Sequence, residues 1–189
     1  MKTLIISLKI FLFFTILTGI IYPLFITGIA QIIFPTQANG SLIMKNNKII
    51  GSELIGQQFD SPIYFSSRPS TIAYNSLPSG GSNLSITNAK LQILVGERKD
   101  KFIEFNHLEK STNIPAEMLF ASASGLDPHI SLQAALLQVD RISEARHFNA
   151  NQKQKLVECI NKSIENPQFL CLGEERINVL LLNLNLDKL

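Results

Sequence analysis

Hydrophobic positions along the chain fall first into one long run and then into short periodic groups. Ile10 to Phe34 is a run of 25 residues whose single ionisable side chain is Tyr22. As a helix rising about 1.5 Å per residue it would reach about 37 Å, against about 30 Å for a bilayer's hydrocarbon core. The pattern predicts a membrane-spanning helix over residues 10–34. A cleaved signal peptide is the rival reading. Lys2 and Lys9 make a basic start, and Gly28-Ile29-Ala30 or Thr36-Gln37-Ala38 offers small residues for cleavage. The apolar stretch of such a peptide is ordinarily about 7–15 residues, so length favours a retained anchor.

Beyond residue 35 the pattern predicts mixed α and β structure. Leu42-Ile43-Met44 and Lys48-Ile49-Ile50 flank Asn46-Asn47, the signature of a hairpin. Residues 66–85 are crowded with Ser, Pro, Gly and Asn and predict a long loop. Thr87 is placed to cap a helix carrying Leu91, Leu94, Val95, Phe102 and Phe105 on one stripe. Met118 to Ala121 reads as a short buried strand. Ser131 caps the next helix, with Leu132, Ala135, Leu136, Val139 and Ile142 facing inward. Arg141, Arg146 and His147 fall on its polar side, where solvation is the default. Asn151 is placed to cap a third helix with Leu156, Val157, Ile160 and Ile164 inward, and Leu182 to Leu186 alternates as a half-buried strand does.

Composition adds orientation. Apolar residues make up 46% of the 189 and charged residues 17%, an imbalance concentrated in the N-terminal run. Lys2 and Lys9 precede the span and the next basic residue is Lys45, so residues 1–9 are expected in the cytoplasm and residues 35–189 outside it, as one extracytoplasmic α/β domain. A net charge of +2 is too small for a nucleic-acid footprint. Cys159 and Cys171 make neither a disulfide framework nor a zinc site, and whether they pair is open at this level.

Candidate chemistry is sparse. Thr15, Gly19, Pro23 and Thr27 recur at steps of four in the span. They read equally as a docking face for other membrane helices or as a lone, slightly kinked anchor. Ser79-Gly80-Gly81-Ser82-Asn83 is the nucleotide candidate, since glycine-rich backbone can present N–H groups to an anion. It lacks the lysine of a Walker-type loop. Ser122, Ser124, Asp127 and His129 hold the letters of a hydrolase triad within eight residues, without the glycines of a nucleophile elbow. Asp127-Pro128 reads instead as a turn former. One span, with neither an Asp-Lys-Thr-Gly phosphorylation motif nor a Thr-Val-Gly-Tyr-Gly filter, excludes a pump or a channel acting alone.

Five stretches together resemble the KdpC family, the small subunit of the bacterial high-affinity potassium-transporting P-type ATPase. They are residues Gly51 to Gln57, Tyr64 to Ser70, Ser79 to Leu84, Ser124 to Ser131 and Asn178 to Leu184, in the family's order over nearly the whole chain. Departures are small: Ala123 where Gly is usual, Ser85-Ile86 where Gly-Pro is common, and Asp140 where Pro is common, the last expected to leave its helix fewer breaks. The resemblance implies a non-catalytic accessory subunit in the bacterial cell membrane. Its implied partners are an ATP-hydrolysing subunit, a potassium-conducting subunit and the lipid bilayer, with no nucleic acid. It implies a role in assembly and an ascribed effect on the sister subunit's ATP affinity, with the 79–83 loop as the family's nucleotide candidate. No bound cofactor or metal is expected beyond that ATP ascription. An exported enzyme and a membrane-anchored ligand-binding module are the alternatives.

Overall fold

The computed structural model describes every residue except Leu170. Two compact units make up the chain, Met1–Ser52 and Glu53–Leu189.

The first unit opens with 32 helical residues, Lys2–Ile33, long and apolar enough to cross a membrane. They divide into α1 (Lys2–Ile16), a π-helical stretch (Leu17–Ile21) and α2 (Tyr22–Ile33). Pro23 has no N–H for the carbonyl of Gly19, and the ladder widens just before it, with the Tyr22 N–H donating five residues back to Leu17. The Thr15 and Thr18 hydroxyls donate to the carbonyls of Phe11 and Phe14 at 2.8 and 2.7 Å. A single turn, α3 (Pro35–Ala38), leads to a hairpin of β1 (Leu42–Lys45) and β2 (Lys48–Ser52). Asn46 and Asn47 both take positive φ (52° and 63°), as a two-residue hairpin turn requires.

The second unit is mainly helical around one small sheet. After an irregular stretch come α4 (Ala89–Phe105), a 3₁₀ turn (Ala116–Met118), β3 (His129–Ile130), α5 (Leu132–Leu136), α6 (Val139–Ala145), α7 (Ala150–Lys162), β4 (Ile164–Glu165), β5 (Arg176–Asn178) and α8 (Val179–Leu186). The strands are antiparallel in the order β3-β5-β4, with Ile177 of β5 opposite both Ile130 and Ile164. The core gathers Phe65, Ile142, Leu156, Ile160, Ile177 and Leu182, all fully buried.

Mixed helix and sheet is as expected, with less strand than the pattern implied. Leu182–Leu186 is helix α8. Its alternation also satisfies helical spacing, and the Asn178 side chain accepts from Leu181 N–H and starts a helix there. Met118–Ala121 is no strand: Pro115 sets up the 3₁₀ turn, Met118 is buried and Phe120 is exposed. Caps shift by a residue or two. Asn88, not Thr87, caps α4, whose buried face is Leu91, Phe102 and Ile103, with Leu94, Val95 and Phe105 half-buried. Asn149, not Asn151, caps α7 through a reciprocal box with Gln152, and Ile164 lies beyond the helix in β4. Ser131 caps α5 as expected, accepting from Ala134 N–H. Despite Asp140 in place of Pro, that helix still breaks at Leu137-Gln138, and Leu136 turns outward.

Candidate functional site

The 122–131 segment is the knot of the second unit. Asp127 Oδ2 pairs with Arg68 Nη1 at 2.5 Å, and Oδ1 accepts from the His129 backbone N–H and faces His129 Nδ1, both at 3.1 Å. Beyond it, Glu165 Oε2 stands 4.0 Å from His129 Nε2 and accepts from Arg176 Nε at 3.0 Å. The chain Arg68–Asp127–His129–Glu165–Arg176 thus ties the 66–70 loop to the sheet. Gly56 N–H donates to the Leu126 carbonyl at 2.7 Å, and a Cβ at Gly56 would sit 2.8 Å from the Asp127 carbonyl oxygen. Only glycine admits that approach.

Burial alone would raise the Asp127 carboxyl, but the His129 hydrogen bonds and the Arg68 charge outweigh it and hold it below the ordinary carboxylate range. A depressed folded-state pKa contributes stability that is complete above the unfolded value, about 4. It is lost as pH falls through the folded value. Denaturation midpoints followed from pH 6 to pH 3 should therefore fall less steeply in Asp127→Asn than in the parent, and parallel curves would refute the linkage.

No catalytic constellation forms from the triad letters. Ser122 Oγ accepts from Asp127 N–H and Ser124 Oγ from Leu126 N–H, so both hydroxyl oxygens close the turn. His129 faces carboxylates on both ring nitrogens, and no described serine bonds to it. Among the described residues no three His, Cys, Asp or Glu side chains gather to hold a metal, and Cys159 and Cys171 are free thiols.

The nucleotide candidate packs on that same turn. Gly80 N–H donates to the Ser124 carbonyl at 3.0 Å, and the Gly80 carbonyl accepts from Thr71 Oγ1 at 2.9 Å. Ser79, Ser82 and Asn83 are exposed, Asn83 in the left-handed region at φ 53°. One of the loop's backbone donors is thereby already committed. A Cβ on Gly81 would lie 3.1 Å from the Ala123 carbonyl oxygen, whereas one on Gly80 meets nothing within 4 Å. Gly81→Ala should therefore cost about 1 kcal/mol through overpacking, with Gly80→Ala near neutral. Equal melting temperatures for the two variants would refute this packing.

Sequence reasoning missed the polar hub behind this surface. Arg141, assigned to a solvated face, is 2% exposed. Its Nε donates to Asn106 Oδ1 at 2.9 Å, Nη1 to the Pro62 carbonyl at 2.5 Å and Nη2 to Gln138 Oε1 at 2.9 Å, with its guanidinium 4.4 Å over the Phe105 ring. Burial lowers its pKa to about 10, so it stays charged at neutral pH with neutral acceptors and a ring face as partners. Arg146 likewise turns back onto the protein, donating to the Ile63 carbonyl and to Asp187, both at 2.8 Å, while His147 is exposed as expected. Asn183 clasps the backbone of Phe65, accepting from its N–H at 2.8 Å and donating to its carbonyl at 3.0 Å. Helical spacing offered a hint only for Asn183, which shares a stripe with buried Val179 and Leu186.

A cleft of about 610 Å³ lies beside the knot, between α4 and residues 58–74. Arg68, Tyr74, Arg98, Lys101, Phe102 and Phe105 are among its walls.

Comparison with known proteins covers the same length. A family model described as KdpC, K+-transporting ATPase, c chain, matches residues 4–188. A protein of Photorhabdus laumondii named potassium-transporting ATPase KdpC subunit is 44% identical over 186 residues, 97% of this chain and 94% of the relative. Proteins of the same name from Leptospira interrogans and Pectobacterium atrosepticum are each 45% identical, over 96% of this chain and 92% and 94% of theirs. A match of that extent, running through the anchor, the glycine loop and the Asp127 turn alike, makes this chain a member of the KdpC family.

Proposed function

We propose that the chain is the non-catalytic accessory subunit of a bacterial ATP-driven potassium uptake complex. It is held in the cell membrane by its N-terminal helix and works in assembly with ATP-hydrolysing and potassium-conducting sister subunits. The family match across residues 4–188 carries the reading. The serine, aspartate and histidine side chains of residues 122–129 are engaged in holding a turn, which supports a binding role. Purification from membranes of the producing bacterium should recover the potassium-transport subunits with it. Recovery alone, or with unrelated proteins, would sink the reading.

Lys2 and Lys9 support an N-terminus inside and residues 35–189 outside. A cysteine at Asn47, in the exposed hairpin turn, is expected to react with a membrane-impermeant maleimide on intact spheroplasts. Labelling only after lysis would invert the topology. With that topology the 79–83 loop and a cytoplasmic nucleotide site are separated by a bilayer core of about 30 Å. Any influence on ATP affinity is then indirect, a shift between conformations of the sister subunit carried through helix contacts. The committed Gly80 N–H supports this, because it leaves the loop with fewer donors for a phosphate. Saturable micromolar ATP binding by the full chain in detergent, abolished by Gly80→Ala/Gly81→Ala, would refute it.

A further inference from the structure

The cleft between α4 and residues 58–74 carries an unbalanced charge. α4 turns Arg98, Lys101, Phe102 and Phe105 towards it, the i, i+3, i+4, i+7 face of one helix. Arg68 on the opposite wall is matched by Asp127. Arg98 has no such match. Its Nη1 donates to the Leu119 carbonyl at 2.9 Å, and among the described residues neither Arg98 nor Lys101 has a carboxylate within ion-pair distance. Asp60, also on the cleft, takes its hydrogen bond from Gln58. Burial lowers the pKa of Arg98, so the fold holds a partly desolvated cation without a counter-charge.

The facing wall is fixed in advance. Ala73 and Tyr74 both sit in the left-handed region (φ 50° and 58°), a costly pair of conformations for residues with a Cβ. Ser70 Oγ accepts from the N–H groups of Ile72 and Tyr74, and the Tyr74 hydroxyl donates to the Arg68 carbonyl. Burial pushes the Tyr74 phenol up to about 12, so it remains a donor at every physiological pH. Strain held by local bonds around a cleft is the pattern of a preorganised binding wall.

We propose that this cleft receives a short peptide segment of a partner protein, in which a carboxylate pairs with Arg98 and Lys101 and the apolar residues beside it cover Phe102 and Phe105. Charge complementarity selects the carboxylate, since an apolar segment would leave Arg98 uncompensated and drier still. The aromatic floor selects a segment over a free inorganic anion, which would match the cations and leave that floor wet. The volume, about 610 Å³, accommodates side chains of a few residues. The chemistry of the cleft stands on its own walls; the potassium-transport reading enters only as the source of the partner.

The test uses the full chain in its own membranes, with a benzophenone side chain at Gln58, an exposed position on the cleft. Irradiation, purification and peptide mass mapping are expected to give one cross-linked segment with an Asp or Glu beside apolar residues. Arg98→Gln/Lys101→Gln should cut the yield about tenfold. Lys101→Gln alone should reduce it without moving the melting temperature, because Lys101 is solvent-exposed. Exchanging the segment's acid for Lys should abolish the cross-link, and adding Arg98→Glu should restore it. No adduct, an adduct of lipid mass, a segment lacking a carboxylate, or a yield indifferent to Arg98 and Lys101 would each overturn the proposal. A segment of these properties from a protein outside potassium transport would uphold the cleft and count against the complex.

Discussion

Replacing Arg141 by Met should destabilise the domain by about 2–4 kcal/mol and lower its melting temperature by roughly 5–15 °C. Methionine fills much of the space and removes a buried charge, which returns part of the desolvation cost. The acceptors are the larger matter. Gln138 Oε1 keeps its bond from Ser66 N–H at 2.7 Å, but Asn106 Oδ1 loses the Nε donor and the Pro62 carbonyl the Nη1 donor. The buried Asn106 acceptor left unpaired costs about 1–3 kcal/mol, and the Pro62 carbonyl, on an exposed residue, less. Lysine should rescue little, since one ammonium on a flexible stem cannot reproduce three donors in a fixed plane and loses the stacking on Phe105. Phe105 is also a wall of the cleft, so loss of peptide capture by Arg141→Met would accompany loss of stability. Thermal melts that leave Met and wild type within about 1 °C would show that the hub is dispensable.

Asn183→Leu is expected to cost about 3 kcal/mol although the two side chains branch at the same carbon and have the same number of heavy atoms. Phe65 and Asn183 are 0% and 2% exposed, so no solvent replaces the lost pair of bonds. Asn183→Asp should do no better: a carboxylate accepts from the Phe65 N–H but has nothing to give its carbonyl, and it brings a charge into the core. Hydrogen exchange offers a local reading. The Phe65 amide should be protected in the parent and exchange rapidly in Asn183→Leu, while amides in the middle of α7 keep their order of protection. An unchanged Phe65 amide would mean that the clasp contributes nothing.

These two residues also mark where the sequence stops being legible. The long apolar helix, the Asn46-Asn47 turn, the Ser131 cap and the inward Leu156 and Ile160 are written in local periodicity and local hydrogen bonding, and each is found in the fold. β3, β4 and β5 run for two or three residues, too short for an alternation to register. The Leu-Asn alternation before residue 187 fits two periods at once, and only the Asn178 cap chooses between them. Arg141 was misplaced for a different reason. Two of the three groups that replace its solvation lie 35 and 79 residues away, and no local pattern announces partners at that separation. The site divides the same way. Ser79 to Asn83 is visible as a string, but its service as backbone packing for residues 122–125 is not. Of the cleft, only one wall was legible, as part of the long 66–85 loop of a kind that tends to be functional; that α4 supplies the other wall was not.

The clasp on Phe65 has a consequence for how the chain is made. It closes a loop of 118 residues, joining the Phe65 segment to α8. Contacts at such separation form late, because the chain between them must first give up its freedom. While synthesis proceeds, the Phe65 segment therefore waits unpaired until α8 has been made. A nascent or truncated chain lacking α8 would present that open segment to proteases and chaperones, and only a chain carrying α8 can hide it. Helix α8 thus acts as a late latch, covering a segment laid down 118 residues before its partner side chain.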